Sequence, residues 1–135
     1  MGLAERRAIE EFKKTRLPEL AGQIERAAGF AVPIEVEWNQ LAYEGRNISY
    51  HEVWTKLYFS PVIQALTRIA RDPMGKEALA GGVKKIVFAN GKRATSPGAA
   101  ITFVEGVIEI DHDYSNVNDI AARTEHLVTL IEKSL

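Results

Sequence analysis

The chain has 135 residues, enough for one domain that buries about two-thirds of the surface exposed by its unfolded form. Its 46% hydrophobic and 26% charged residues are typical of a globular protein, and no apolar run reaches the ~18 residues of a spanning helix. Seventeen basic and eighteen acidic residues show no basic stripe of the kind that nucleic-acid binding needs. The lack of cysteine excludes disulfides, thiolate metal sites and cysteine nucleophiles. We therefore expect one domain, 1–135, that binds neither membrane nor nucleic acid.

The first residues, MGLAERRAIEEF, pass directly into a charged helical pattern and show no secretory leader. We therefore expect a cytoplasmic protein. The glycosylation pattern at residues 47–49 does not predict glycosylation in the absence of a secretory route.

Two helices and a strand are predicted first. Apolar residues recur at helical spacing from Leu3 to Ala28, and Pro18 is expected to kink or divide this segment. Gly29 is a plausible helix end. Residues 33–38, PIEVEW, then alternate with period two, which predicts a half-buried strand.

Three start signals predict the helical pieces that follow. Ser49 and Glu52 have the spacing of a capping box, in which each side chain bonds the other's backbone amide. The dipeptides SP at 60–61 and DP at 72–73 each read as an N-cap followed by proline at the first helical position. The sequence thus predicts fresh helix starts at all three places.

Three strands are predicted in the last third of the chain. Residues 85–89 form an apolar strand, and residues 90–98 are expected to form a loop. Two strands, 99–104 and 107–112, should be joined by the two-residue turn Glu105-Gly106. This turn pairs Phe103 with Ile108, Ile101 with Ile110 and Ala99 with His112.

A last helix should begin after Asn116 or Asn118 and carry one apolar stripe. The order of elements is then α-β-α(α)-β-β-β-α. Because the strands cluster rather than alternate regularly with helices, we predict an α+β fold. Its antiparallel sheet of about four strands should have helices packed on one face and polar side chains on the other.

The segment Asp111-His112-Asp113 is the strongest candidate for chemistry. In a regular strand neighbouring side chains point to opposite faces, so His112 should point to the core and both aspartates outward. This divergence argues against a metal site, and we predict neither metal nor cofactor. A calcium loop starting at Asp111 also fails, because Ala122 stands where such a loop needs its bidentate glutamate.

Other candidates are weaker. His51 lacks the second histidine of a metalloprotease helix, since the residue four positions on is Thr55. His51, His112 and His126 lie on separate elements, and their proximity is left open. No catalytic nucleophile motif or phosphate-binding loop is present.

Three further residues are candidates for contacts with a partner. Lys92 and Arg93 lie in the predicted loop, where they could bind an anion or simply be solvated. Phe59 falls opposite the apolar stripe of its helix, so it either anchors a partner or packs under the first helix.

The segments VPIEVEW, KLYFSPVIQAL, GVKKIVFAN and ITFVEGVIEID together resemble small bacterial single-domain proteins of a domain-of-unknown-function type. The likeness covers most of the chain. It implies a bacterial cytosolic α+β domain and supplies no catalytic residue.

Two hypotheses for the function follow. We favour a non-enzymatic protein-binding module, of an immunity or accessory type, that contacts its partner through the exposed sheet face or the loop at 90–98. The alternative is a small metal-assisted hydrolase or ligand-binding domain that uses Asp111, His112 and Asp113 at the strand end. The oligomeric state is left open.

Overall fold

Four strands form one sheet in a computed structural model, which describes residues 1–43 and 49–135. Two residues of the glycosylation pattern, Asn47 and Ile48, lie outside the described residues. The strands are β1 (Ile34–Val36), β2 (Lys85–Ala94), β3 (Ile101–Val104) and β4 (Val107–His112). The order of strands across the sheet is β1-β2-β4-β3.

Helices precede, separate and follow the strands. Residues Thr55–Phe59 form a π-helix. The α-helices are α1 (Leu3–Thr15), α2 (Leu17–Ala28), α3 (Trp38–Leu41), α4 (Tyr50–Trp54), α5 (Ser60–Ile69), α6 (Pro73–Gly82), α7 (Pro97–Ala100) and α8 (Ile120–Ser134). No helix in the described ranges is long and apolar enough to cross a membrane.

The α+β class is confirmed, but the prediction of an antiparallel sheet is wrong. β2 runs parallel to both β1 and β4, and only β3 and β4 are antiparallel. The reason is the connection between β1 and β2, which contains α3 to α6 and is long enough to return the chain to the same end of the sheet. β3 then enters at the far edge, beyond β4.

The predicted hairpin is confirmed in turn and register. Glu105 and Gly106 have φ values of 52° and 81°, the two positive values of a type I′ turn. Phe103 pairs with Ile108 and Ile101 pairs with Ile110. The predicted pair Ala99–His112 is wrong, because Ala99 belongs to α7 and His112 pairs with Ala94 of β2.

The segment from Tyr50 to Ile69 continues through Ser60 without a fresh helix start. The Ser60 amide donates to the carbonyl of Thr55, five residues back, which gives the π-helical turn. Pro61 has no N–H, so it cannot serve the next carbonyl, that of Lys56. The Arg123 guanidinium from α8 donates to this carbonyl instead, at 3.2 Å.

Other helix ends match the sequence in part. The first segment divides at Arg16, close to Pro18, and Gly29 ends α2 with a φ of 90°. Asp72 caps α6 by accepting the Gly75 amide at 2.7 Å.

Two predicted caps differ from the structure. Ser49 occupies the N-cap position of α4, but its side chain makes no capping bond. The cap of α8 is Asp119, which accepts the Ala122 amide, rather than either predicted asparagine.

The core lies between the helices and one face of the sheet. Ile86, Phe88, Ile108 and Ile110 on this face are fully buried. Phe59 is fully buried as well: its ring lies 4.6 Å from that of Phe88 and 5.8 Å from that of Phe12 in α1. Of the two alternatives for Phe59, packing under the first helix is the one observed.

Candidate functional site

The candidate site lies at the carboxyl end of β2 and β4. These strands are parallel, so the segments that follow them leave the sheet at the same end. In α/β proteins, ligands commonly bind at this end of the sheet. Ala89 pairs with Asp111 and Ala94 pairs with His112, so residues 90–93 form a bulge opposite one step of β4. The predicted loop therefore begins as an extension of β2.

Asp111 is covered by this bulge. The Lys92 amide donates to Asp111 Oδ1 at 3.0 Å, and the residue is only 7% exposed. We predicted that Asp111 points outward and is solvated. It does lie on the side of the sheet opposite the core, but the bulge shields it, a feature that strand alternation does not predict.

His112 points the other way and is 1% exposed. Its Nδ1 atom lies 2.6 Å from the Asp113 carbonyl oxygen, which assigns the ring proton to Nδ1. The Tyr58 hydroxyl donates to the His112 carbonyl at 2.6 Å. Burial lowers the pKa of His112, and the nearby Arg123 cation lowers it further, so the imidazole is neutral at pH 7.

Asp113 is the centre of a hydrogen-bond cluster. Its Oδ1 accepts from the Tyr43 hydroxyl at 2.9 Å, the Asn90 amide at 3.0 Å and the Tyr114 backbone N–H at 2.8 Å. Arg93 Nη1 lies 3.7 Å away. Burial alone would raise the pKa of Asp113, but these hydrogen bonds and the Arg93 cation outweigh it and hold the pKa below its ordinary value.

Aromatic rings surround this carboxylate. The Arg93 guanidinium lies 4.1 Å from the ring centre of Tyr43, which stacks on Tyr114 at 5.2 Å and 13°. The Tyr114 hydroxyl accepts from Trp54 Nε1 at 3.0 Å and donates to the carbonyl of Leu41. Arg93 is thus tied to both Asp113 and the aromatic stack.

Sequence reasoning missed Tyr43, Asn90 and Tyr114. Asn90 directly follows the buried run of β2, and Tyr114 follows the strand end of β4. A prediction of parallel pairing between these strands would have placed Asn90 and Tyr114 at the same end of the sheet. They were missed because the sheet was predicted to be antiparallel.

The cluster is a dense network of hydrogen bonds. Asp113 accepts its three hydrogen bonds through Oδ1, and the His112 side chain is buried on the core side of β4. No three His, Cys, Asp or Glu side chains among the described residues lie close enough to hold a metal. His51 packs on Phe12 with ring centres 5.6 Å apart. Among the described residues, His51, His112 and His126 do not form a group that could hold a metal.

One polar atom of the cluster is unsatisfied. Asn90 is completely buried, and its Oδ1 atom has no hydrogen-bond partner among the described residues. A groove of about 590 Å³ is lined by α2, α5 and α6 and includes Arg26 and Lys76.

A second candidate surface is the side of the sheet that carries Glu35, Val87, Glu109 and Thr102, which we call the outer face. The strand register places these four residues in one row across all four strands. Lys85 Nζ lies 3.7 Å from Glu35, and Lys92 Nζ lies 3.4 Å from Glu109. The side chain of Glu35 is 53% exposed and that of Glu109 is 32% exposed, so solvent reaches this face.

Comparison with family models, with curated proteins and with solved structures gives no match for this chain.

Proposed function

We propose that the protein is a non-enzymatic binding module that presents the outer face of its sheet to a partner protein. The observation that carries the proposal is a sheet with three parallel strands and one face on which charged side chains are partly exposed. Parallel strands are generally buried on both faces, because their crossovers leave helices on each side. Here the outer face leaves charged side chains one-third to one-half exposed.

The chemistry of this face suits a protein more than a nucleic acid. Its two lysines are each paired with a glutamate, so the face presents both signs and little net charge. Between the ion pairs, Val87 and Ala89 of β2 are buried, at 8% and 4% exposure. Paired charges of both signs are typical of the polar rim of protein interfaces, whereas phosphate binding needs uncompensated cations.

The size of the face sets a limit on the contact. Four strands about 4.8 Å apart and about five residues long cover roughly 300 Å². A standard interface takes about 800 Å² from each partner. The contact therefore extends past the sheet onto the adjoining bulge, where Lys92 and Arg93 are both exposed. The proposed contact therefore includes both surfaces that were predicted from the sequence, the exposed sheet face and the loop at 90–98.

Site-specific photo-crosslinking tests the proposal. Benzoylphenylalanine at position 35 should give an adduct of one defined mass in the native cells, and that mass should differ from two copies of the 15.0 kDa chain. The control is the same amino acid at Thr15, an exposed position on α1. Equal labelling from positions 35 and 15, or no adduct from position 35, would refute the proposal.

A further inference from the structure

The sheet has a free edge at β1, which pairs with β2 on its other side. The Pro33 carbonyl accepts the Ile86 amide of β2 at 2.9 Å. In an extended strand the N–H and C=O of one residue point to the same side, and successive residues alternate. Ile34 and Val36 therefore direct their backbone groups to the open side of the edge. Among the described residues, no hydrogen bond occupies these groups.

Pro33 does not close this edge. Proline and short length are devices that keep foreign strands from an edge, and β1 has only three residues. The Pro33 nitrogen, however, points to β2 together with its carbonyl, so its missing proton removes no donor from the open side. The open side keeps two N–H and two C=O groups, which is enough to pair with a short added strand.

An apolar groove of about 300 Å³ lies beside the same edge. Its lining residues come from α2, from β1 and from the segments that flank β1: Leu17, Ala21, Val32, Ile34, Val36 and Trp38. In β1, Ile34 and Val36 are only partly buried, whereas Ile86 and Phe88, their partners in β2, are fully buried. The core side of the edge strand thus lacks the cover that the central strand has.

We propose that the β1 edge and this groove bind an extended segment of another protein, in which two apolar residues flank a basic one. The segment adds a fifth strand to the sheet. Its backbone pairs with Ile34 and Val36, its apolar side chains enter the groove, and its basic side chain faces Glu35. In strand addition, main-chain hydrogen bonds supply affinity and pockets for alternate side chains supply specificity. The inference does not rest on the proposed function, because the groove lies on the opposite side of β1 from the outer face.

The charge of Glu35 selects the occupant. Its side chain is 53% exposed, and its ion pair with Lys85 of β2 is loose, at 3.7 Å. Opposite charges that face each other across two strands are stabilising, and like charges are destabilising. A second copy would pair Ile34 with Val36 about a two-fold axis and so place Glu35 opposite Glu35. A basic residue of a different protein avoids this repulsion and gains the attraction.

Fluorescence anisotropy with a synthetic peptide tests the strand pairing. Fluorescein-labelled GSVKVSG can place its valines opposite Ile34 and Val36 and its lysine opposite Glu35, and we expect it to bind the full chain with a Kd of about 0.1 mM. The same peptide with both valine nitrogens methylated has lost the two N–H donors and should bind at least about tenfold more weakly. No binding of GSVKVSG up to about 1 mM, or equal binding of the methylated peptide, would overturn the proposal.

A charge exchange tests the role of Glu35. The peptide GSVEVSG should bind the wild-type chain at least about threefold more weakly than GSVKVSG, and the variant Glu35→Lys should reverse this order. Circular dichroism establishes that the variant is folded. The same order of affinities in both proteins would contradict the proposed selection by charge.

Filling the groove tests its part in binding. Ala21→Phe places a ring in the groove and should weaken the binding of GSVKVSG at least about tenfold. The matched control Ala80→Phe, at an exposed position of α6, should leave the Kd unchanged. Equal Kd values for the two variants would overturn the proposal. A wild-type dimer in sedimentation that Ala21→Phe dissociates would assign the groove to a second copy and would overturn it as well.

Discussion

The cluster around Asp113 and the outer face of the sheet hold their charges in opposite ways. Asp113 accepts three hydrogen bonds from different parts of the chain and lies beside Arg93. On the outer face, Glu35 and Glu109 each meet one lysine across a strand and stay open to water. A densely bonded carboxylate stabilises the fold, whereas loosely paired surface charges are free to exchange partners.

The largest expected effect is at Asp113. Asp113→Ala leaves Asn90 and Tyr43 without this acceptor and releases the end of β4, so we expect about 3 kcal/mol of lost unfolding free energy. Urea denaturation measures it. The matched variant Glu109→Ala on the outer face should cost less than about 0.5 kcal/mol. Equal losses for the two variants would mean that the contrast between cluster and face is false.

The second effect is a pH dependence at His112. Its pKa is lowered in the folded state by burial and by Arg123, so the unfolded chain binds the proton more readily. The associated stability is complete above the unfolded pKa, near 6.5, and is lost as the pH falls through the lower folded pKa. Between these two values the free energy of unfolding should fall as the pH falls, by at most about 1.4 kcal/mol per pH unit.

Urea melts from pH 7.5 to pH 4.5 measure this slope. The low pKa of Asp113 adds a further loss only at more acidic pH, below its own unfolded value. The variant His112→Gln should flatten the profile in this range. A wild-type profile that is already flat would show that His112 is not held neutral by burial.

The smallest effect concerns the ion pair between Lys92 and Glu109. A double-mutant cycle with Lys92→Ala and Glu109→Ala should give a coupling energy of about 0.5 kcal/mol or less, because both side chains are partly exposed. The coupling should fall further in 1 M salt. A coupling energy above about 2 kcal/mol would mean that this ion pair stabilises the fold, as the hydrogen bonds of Asp113 do, and would contradict the contrast.

Local signals in the sequence predicted local structure correctly. The turn at Glu105-Gly106 fixed the register of β3 and β4, since a two-residue turn leaves one pairing available. Asp72 and Gly29 marked helix ends because each acts on backbone groups within a few residues. Trp38, in contrast, extended a strand-like alternation beyond Val36, yet it begins α3.

Features that depend on distant residues were not predictable in this way. The parallel pairing of β2 with β1 and β4 joins segments that are far apart in sequence, and alternation alone does not define strand direction. The burial of Asp111 depends on the bulge at residues 90–93. The π-helix depends on Arg123, more than 60 residues away. Its guanidinium donates to the Lys56 carbonyl, which Pro61 cannot bond because it has no N–H.

The yield of the position-35 crosslink in two variants tests the central claim most directly. Lys92→Glu changes the outer face and should abolish the adduct while leaving the melting temperature nearly unchanged. Asp113→Asn should lower the melting temperature but retain the adduct when the crosslink is made well below that temperature. The opposite pattern, with the adduct lost in Asp113→Asn and retained in Lys92→Glu, would place function at the Asp113 cluster and contradict the account.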